Sequence, residues 1–250
     1  MTSEPPAPLP LPVSATTATL RRRKLEATQA LLGDTISIPD EDWQQPSRLP
    51  GWTRAHVATH LARNADAMRQ VVEGLLGNRP TPLYPSPRQR RRDLEVGSRR
   101  APLELQIDLD TSAGQLNQAF TRLTESGRVD VVELGPCFRM PAPHLMVARL
   151  NEVVLHRIDL DHGFTAAHVD ADIARWLLEW NCQRIGERPD FPALHLMSDS
   201  GFQATIGAPP PAGHEAHLVH GTDASLLGWL TSRGPADSLG GADGLTLPEL

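Results

Sequence analysis

Two pairs of side chains in this chain stand one helical turn apart and carry groups that can hold a metal ion. His56 and His60 are four positions apart in RAHVATHLARN, and Glu152 and His156 are four apart in NEVVLHRID. Residues at i and i+4 share a helix face, so an E-x-x-x-H pair can offer one oxygen and one imidazole nitrogen to the same ion. Glu152 is followed by Val153, Val154 and Leu155. A carboxylate among apolar residues is costly unless it is paired, and a cation is one way to neutralise it. Two histidines and one carboxylate leave a fourth position open, the pattern of catalytic rather than structural zinc. The expected ligands are His60, Glu152 and His156, with zinc or another divalent ion. Spacing alone also allows core histidines that only hydrogen-bond. His56 is either a group behind the ligands or a helix-start partner for Thr53. Asn64, one turn past His60, is a candidate for supporting the site from behind.

The elements that must position these residues are helical. A helix capped by Ser14 is expected through Leu20, Leu25 and Leu31, stopped by Gly33. A second begins after Thr53, carries Val57, Leu61, Ala65 and Met68 at helical spacing, and closes at Gly77 and Pro80. A basic helix is expected over 87–97 and a longer one over 103–123. VDVVEL is β-branched and reads as a short strand or extended loop, interrupted by Gly135 and Pro136. A long helix over 141–161 is apolar on much of its circumference, as a central bundle helix would be. Facing side chains of such a bundle commonly build metal sites. Beyond Gly163 come a helix at 170–186, strand-like pieces at 193–197, 202–206 and 216–220, and a helix from Asp223 to about Ser232. The expected organisation is a proline-rich, disordered tail over 1–13, a helix bundle over 14–165 and a smaller α+β domain over 166–250.

Composition narrows the class. The chain has 250 residues, 40% of them hydrophobic and 22% charged, which is globular rather than disordered. Thirty acidic against 24 basic residues leave a net charge of −6, so neither nucleic acid nor an anionic membrane is an expected partner. Arg88, Arg90, Arg91 and Arg92 crowd one segment; such a run reads as a solvated helix face or as an anion pocket. The two cysteines, Cys137 and Cys182, make no disulfide framework and no metal knuckle. Cys182 reads as core, and Cys137 as a loop residue without a paired base. No stretch approaches the roughly 18 apolar residues of a membrane span, and the first dozen residues lack a signal peptide's basic and apolar regions. A cytoplasmic protein is expected. The oligomeric state stays open, with a monomer as the simplest arrangement.

LPGWTRAHVATHLARNA resembles a motif of the DinB-like metal-binding helix bundles, specifically the mycothiol-dependent maleylpyruvate isomerase group. The pattern G-W-T-R-x-H-V-x-x-H-x-x-x-N-A falls on Gly51, Trp52, Thr53, Arg54, His56, Val57, His60, Asn64 and Ala65. A second pattern, E-V-x-x-H-x-x-D-L, falls on Glu152, Val153, His156, Asp159 and Leu160. TPLYPSPRQR resembles a third stretch, ending in Arg90, and SLLGWLTSRG a fourth, ending in Arg233. The resemblance implies the ligand set His60, Glu152 and His156. It also implies an N-terminal four-helix bundle and a C-terminal α+β domain like sterol-carrier modules. The proline-rich tail and the basic segment 85–92 depart from the family pattern.

The implied reaction is the cis-to-trans conversion of maleylpyruvate to fumarylpyruvate in gentisate breakdown, with mycothiol as thiol cosubstrate. A thiolate that adds to the conjugated system leaves a single bond free to rotate, and is then expelled. A substrate with two carboxylates calls for cationic clamps, for which Arg90 and Arg233 are the candidates, with a site between the two domains. Arg90 also reads as a surface residue of the basic run, and Arg233 as a helix C-terminal cation. Asp159 reads as a surface salt-bridge residue or as a group orienting a ligand imidazole. Two alternatives remain. One is a mycothiol S-transferase acting on another electrophile. The other is a non-catalytic carrier whose metal is structural, with His56 as a fourth ligand.

Overall fold

The computed structural model of the protein describes residues 13–79, 81–84, 86–135, 138–186, 188–210 and 213–248. The readings for the tail residues 1–12, for Cys137 and for the turn at Pro136 fall outside these, as does the helix stop at Pro80. Among the described residues there are seven α-helices and five short strands, and no helix is long and apolar enough to cross a membrane.

Local chemistry explains the helix ends. Helix α1 spans Thr17–Ser37, with the Thr16 hydroxyl accepting from the Thr19 amide at 3.2 Å. The cap is therefore Thr16 and not Ser14. The helix runs through Gly33 because an isolated glycine only weakens a helix. It stops at Ser37 because Ile38 precedes Pro39 and is forced to extended angles, φ −74 and ψ 120. Helix α2 (Arg54–Leu76) starts with a capping box between Thr53 and His56 and ends at Gly77. Helix α3 (Pro87–Gly97) is capped by Ser86 with proline in its first turn. Helix α4 (Pro102–Ser126) ends at Gly127, whose φ of 65 is left-handed. Strands β1 (Val131–Gly135) and β2 (Phe138–Pro141) then pair antiparallel, with Val132 opposite Met140. Helix α5 begins later than expected. A 3₁₀ turn over Ala142–His144 precedes its span Leu145–Asp159.

Helix α2 packs along α4 and against α5, and α1 packs on α5 and α4, so the four long helices enclose one core. Trp43, Leu61, Leu105 and Val153 are among the side chains almost wholly removed from water there. Each such burial stabilises by roughly 1.5–3 kcal/mol. Helix α3 lies on α2, where Gly97 meets Thr59 without room for a Cβ.

The chain divides into two compact units, Thr16–His162 and Gly163–Leu250, the few residues before α1 grouping with the second. The stretch ahead of α1 is thus not tail throughout. Val13 is buried, and the Ser14 amide donates to Glu179 at 2.6 Å. The second unit holds α6 (Ala171–Ile185), β3 (Leu194–Ser198), β4 (Gln203–Ile206), β5 (His217–Gly221) and α7 (Asp223–Leu230). Its strands are ordered β4-β3-β5, with β3 antiparallel to β4 and parallel to β5. Leu194, Leu196, Ile206 and Val219 pack with Leu178, Phe191 and Trp229 of the surrounding elements. The class is predominantly helical with two small sheets.

Candidate metal centre

Arg54, in the first turn of α2, clasps the end of α5. Its guanidinium donates to the carbonyls of Leu160 at 2.8 Å, Asp161 at 3.1 Å and Asp42 at 3.1 Å. This satisfies carbonyls that the end of a helix leaves unpaired. It also sets the register between α2 and α5, which carry the three expected ligands.

Those ligands converge. His60 Nε2 lies 3.0 Å from Glu152 Oε2, and His156 Nε2 lies 3.5 Å from the same oxygen. The two imidazoles meet edge to face with centroids 4.6 Å apart. One donor atom from each residue lies within 4.8 Å of the others. His60 is buried, and Trp52 covers it with its ring 5.5 Å away.

Asp159 corrects the surface reading. It is completely buried, and its Oδ2 lies 2.8 Å from His156 Nδ1. In neutral His156, an Nδ1–H donating to Asp159 leaves the Nε2 lone pair facing Glu152, the tautomer a metal ligand needs. Burial alone would raise the Glu152 carboxyl, but hydrogen bonds from His156 and His60 and their charges hold it well below the usual carboxylate range. Burial and the neighbouring charge of His156 lower His60. For His156 burial pulls the other way, yet its bonds to Asp159 and Glu152 raise it.

A polar layer lies behind the triad. Arg149 is buried inside the bundle and donates to the Leu61 carbonyl at 2.9 Å and to Asn64 Oδ1 at 2.7 Å. Burial lowers it to about 10, opposed by the charges of Glu152, Tyr84 and Asp66, so it stays protonated near neutrality. Asn64 is buried, and it and Arg90 interact with the Tyr84 hydroxyl. Burial raises Tyr84, which keeps that hydroxyl protonated. The Arg90 guanidinium sits 5.1 Å from the Tyr84 ring centroid, and its charge reaches His60. Tyr84 and Arg149 were not among the expected site residues. Tyr84 lies in a proline-rich segment without periodicity, where its place as the chain's one tyrosine next to the arginine run was the only signal. Arg149, a cation within an apolar stretch of α5, was the same kind of signal as Glu152.

The remaining candidates have other contacts. His56 is spent on the start of α2, its Nδ1 being 2.8 Å from Thr53 Oγ1 and accepting from the Thr53 amide at 3.2 Å. It does not belong to the convergent group. Arg233 belongs to the second unit and donates to the Thr231 carbonyl at 2.6 Å. Cys182 is core, its thiol pushed by burial up to about 12. His162 Nε2 lies 2.9 Å from Ser37 Oγ, and His168 Nδ1 lies 3.0 Å from Thr165 Oγ1.

The donor set suits a divalent ion: two imidazole nitrogens and one ionised carboxylate oxygen, with one imidazole held by a buried carboxylate. Fold and cluster define a class, a helical protein with a two-histidine, one-carboxylate cluster gathered from two neighbouring helices. The family model described as the mycothiol maleylpyruvate isomerase N-terminal domain matches residues 21–161, more than half of the chain, and the chain belongs to that family. Two solved structures share its fold. They are the mycothiol-dependent maleylpyruvate isomerase and a histidine-to-alanine mutant of it. Each has a TM-score of 0.85 at 22% identity and covers 97% of this chain and 100% of its own. No protein of curated function matches the sequence.

Proposed function

We propose that the protein is a metal- and mycothiol-dependent cis-trans isomerase that converts maleylpyruvate to fumarylpyruvate. The observation that carries this reading is the convergence of His60, Glu152 and His156, backed by buried Asp159, in a chain of this family. In this reading the helical unit is a DinB-like four-helix bundle and the second unit is sterol-carrier-like. The ion is zinc, and a reducing cytoplasm keeps the thiol cosubstrate reduced.

His60, Glu152 and His156 hold the ion, and Asp159 fixes the His156 ring. When bound, the ion supplies Lewis acidity that favours an ionised thiol and a polarised carbonyl. The thiolate sulfur forms a bond to one alkene carbon of the substrate. The π pair of that alkene shifts onto the conjugated carbonyl oxygen, and the former double bond rotates as a single bond. The pair then returns, the carbon–sulfur bond breaks and the thiol leaves unchanged. Arg90, stacked on the Tyr84 ring, clamps a substrate carboxylate. The protonated Tyr84 hydroxyl donates a hydrogen bond where negative charge collects, and Trp52 keeps water from His60.

The test follows maleylpyruvate absorbance with and without mycothiol, with His60→Ala and after chelation. Thiol-dependent fumarylpyruvate formation that the variant and the chelated protein lose is the expected result. Stoichiometric consumption of thiol would instead mean an S-transferase. Turnover that survives chelation would remove the metal from the reading.

A further inference from the structure

The helical unit contains a cavity of about 1340 Å³ whose inner end abuts the metal centre through Trp52, Tyr84 and Arg90. Sites that enclose a drug-sized ligand run to roughly 300–1,000 Å³, so a small dicarboxylate and the reacting end of a thiol do not by themselves account for this space. The walls are divided in character. Leu75, Leu83, Leu94 and Val132 supply an apolar lining, while Arg79, Arg91 and Arg139 stand exposed along it. These three come from the turn that follows α2, from α3 and from β2, instead of sharing one helix face. Among the described residues no ion pair occupies any of them. Arg128, also in the wall, is by contrast bound to Asp130 at 2.9 Å and to Asn78 at 2.8 Å. Two further carboxylates line the cavity: Glu95, 4.0 Å from His56 Nε2, and Glu133. Arginine costs less to leave unpaired at a surface than to bury, yet three from separate elements around one apolar space form a receptor for a carboxylate on an apolar body.

The geometry points to a second carboxylate subsite formed by Arg79, Arg91 and Arg139, which extends the acids this enzyme accepts to longer ones with an apolar body. The choice of a carboxylate over another anion rests on the proposed isomerase reading. One end of such an acid lies at Arg90 beside the metal centre, its body lies along the leucines, and its distal carboxylate meets the three arginines.

The probes are unreactive saturated dicarboxylates, so binding is read without turnover. Calorimetry should show the ten-carbon sebacate binding the full-length protein at least about tenfold more tightly than succinate, because its methylenes are buried. The sebacate affinity should fall with added salt. In Arg79→Gln/Arg91→Gln/Arg139→Gln, sebacate should weaken about tenfold or more through loss of charge-assisted contacts, with succinate little changed. The replaced side chains are exposed, and an unchanged melting temperature verifies the fold. Equal binding of the two acids, or sebacate binding unaltered in the triple variant, overturns the proposal. So does a loss confined to mycothiol, which would give the rim to the thiol. If the isomerase reading fails for lack of turnover, the sebacate measurement still decides this one.

Discussion

Replacing Asp159 by asparagine tests the metal centre without touching a ligand. Asp159 is fully buried and 2.8 Å from His156 Nδ1, so asparagine keeps the shape and a hydrogen-bond acceptor while removing the charge that supports the imidazole. Loss of such a partner typically costs 10–100-fold in metal affinity, or about 1.4–2.7 kcal/mol. The assay is the zinc-induced shift in melting temperature, each protein being compared with its own metal-free form so that any cost to the bare fold cancels. At free zinc about 100 times the wild-type Kd, binding stabilises the wild type by about 2.7 kcal/mol. A tenfold weaker site retains about 1.4 kcal/mol, and a hundredfold weaker one about 0.4. For a chain of this size those values correspond to shifts of roughly 5–11 °C in the wild type against roughly 1–6 °C in the variant. Competition with a coloured chelator should return the same ratio of affinities. A zinc shift equal to that of the wild type would refute the argument that Asp159 tunes His156, and no zinc shift in either protein would refute the metal centre itself.

Tyr84→Phe keeps the ring beneath Arg90 and removes the hydroxyl beside Asn64. Steady-state kinetics should show kcat reduced roughly 10–100-fold, with the KM for maleylpyruvate changed far less. Gly97→Ala would drive a Cβ into Thr59 Cγ2. Urea unfolding should register a loss of about 1–3 kcal/mol. Lys24 is buried between Asn117, 3.1 Å from its Nζ, and the Phe120 ring; burial, then Arg149 and Arg21, lowers it to about 7. The unfolded chain holds that proton up to about pH 10.4, so between 7 and 10 it binds more protons than the fold, and Lys24 makes stability rise with pH by up to about 1.4 kcal/mol per unit. Lys24→Met should abolish this slope and gain most over the wild type below pH 7, as read from denaturation midpoints across pH 6–9.

The candidate triad was legible because each half is local. The i,i+4 spacing puts Glu152 and His156 on one face, and the apolar run around them announces that the carboxylate needs a partner. That His60 meets them from 92 positions away rested on the motif resemblance, since spacing within a helix says nothing about a neighbouring one. Asp159 stayed open between two readings for the same reason. One turn past His156 at a helix end, it looks solvated, yet other segments meet it there, such as the one around Arg48, whose amide donates to the Asp159 carbonyl at 2.9 Å. Gly33 looked like a stop because glycine is common there, whereas the break comes from Pro39 acting on Ile38. Tyr84 and the cavity were out of reach. Irregular backbone has no period to read, and a cavity is a property of several elements at once.

The diversion of His56 has an evolutionary reading. Left to itself, a histidine four positions before a ligand is a ready competitor for the same ion. Here a threonine hydroxyl and a backbone amide claim its ring for the start of α2. Under the proposed function, the ligand count of the centre thus depends on a helix cap that is not itself part of the cluster. Under that function, drift at Thr53 would loosen that hold and offer the ion a third imidazole as a fourth ligand. On that reading, selection on Thr53 would look like selection for folding while acting on the number of ligands the centre offers.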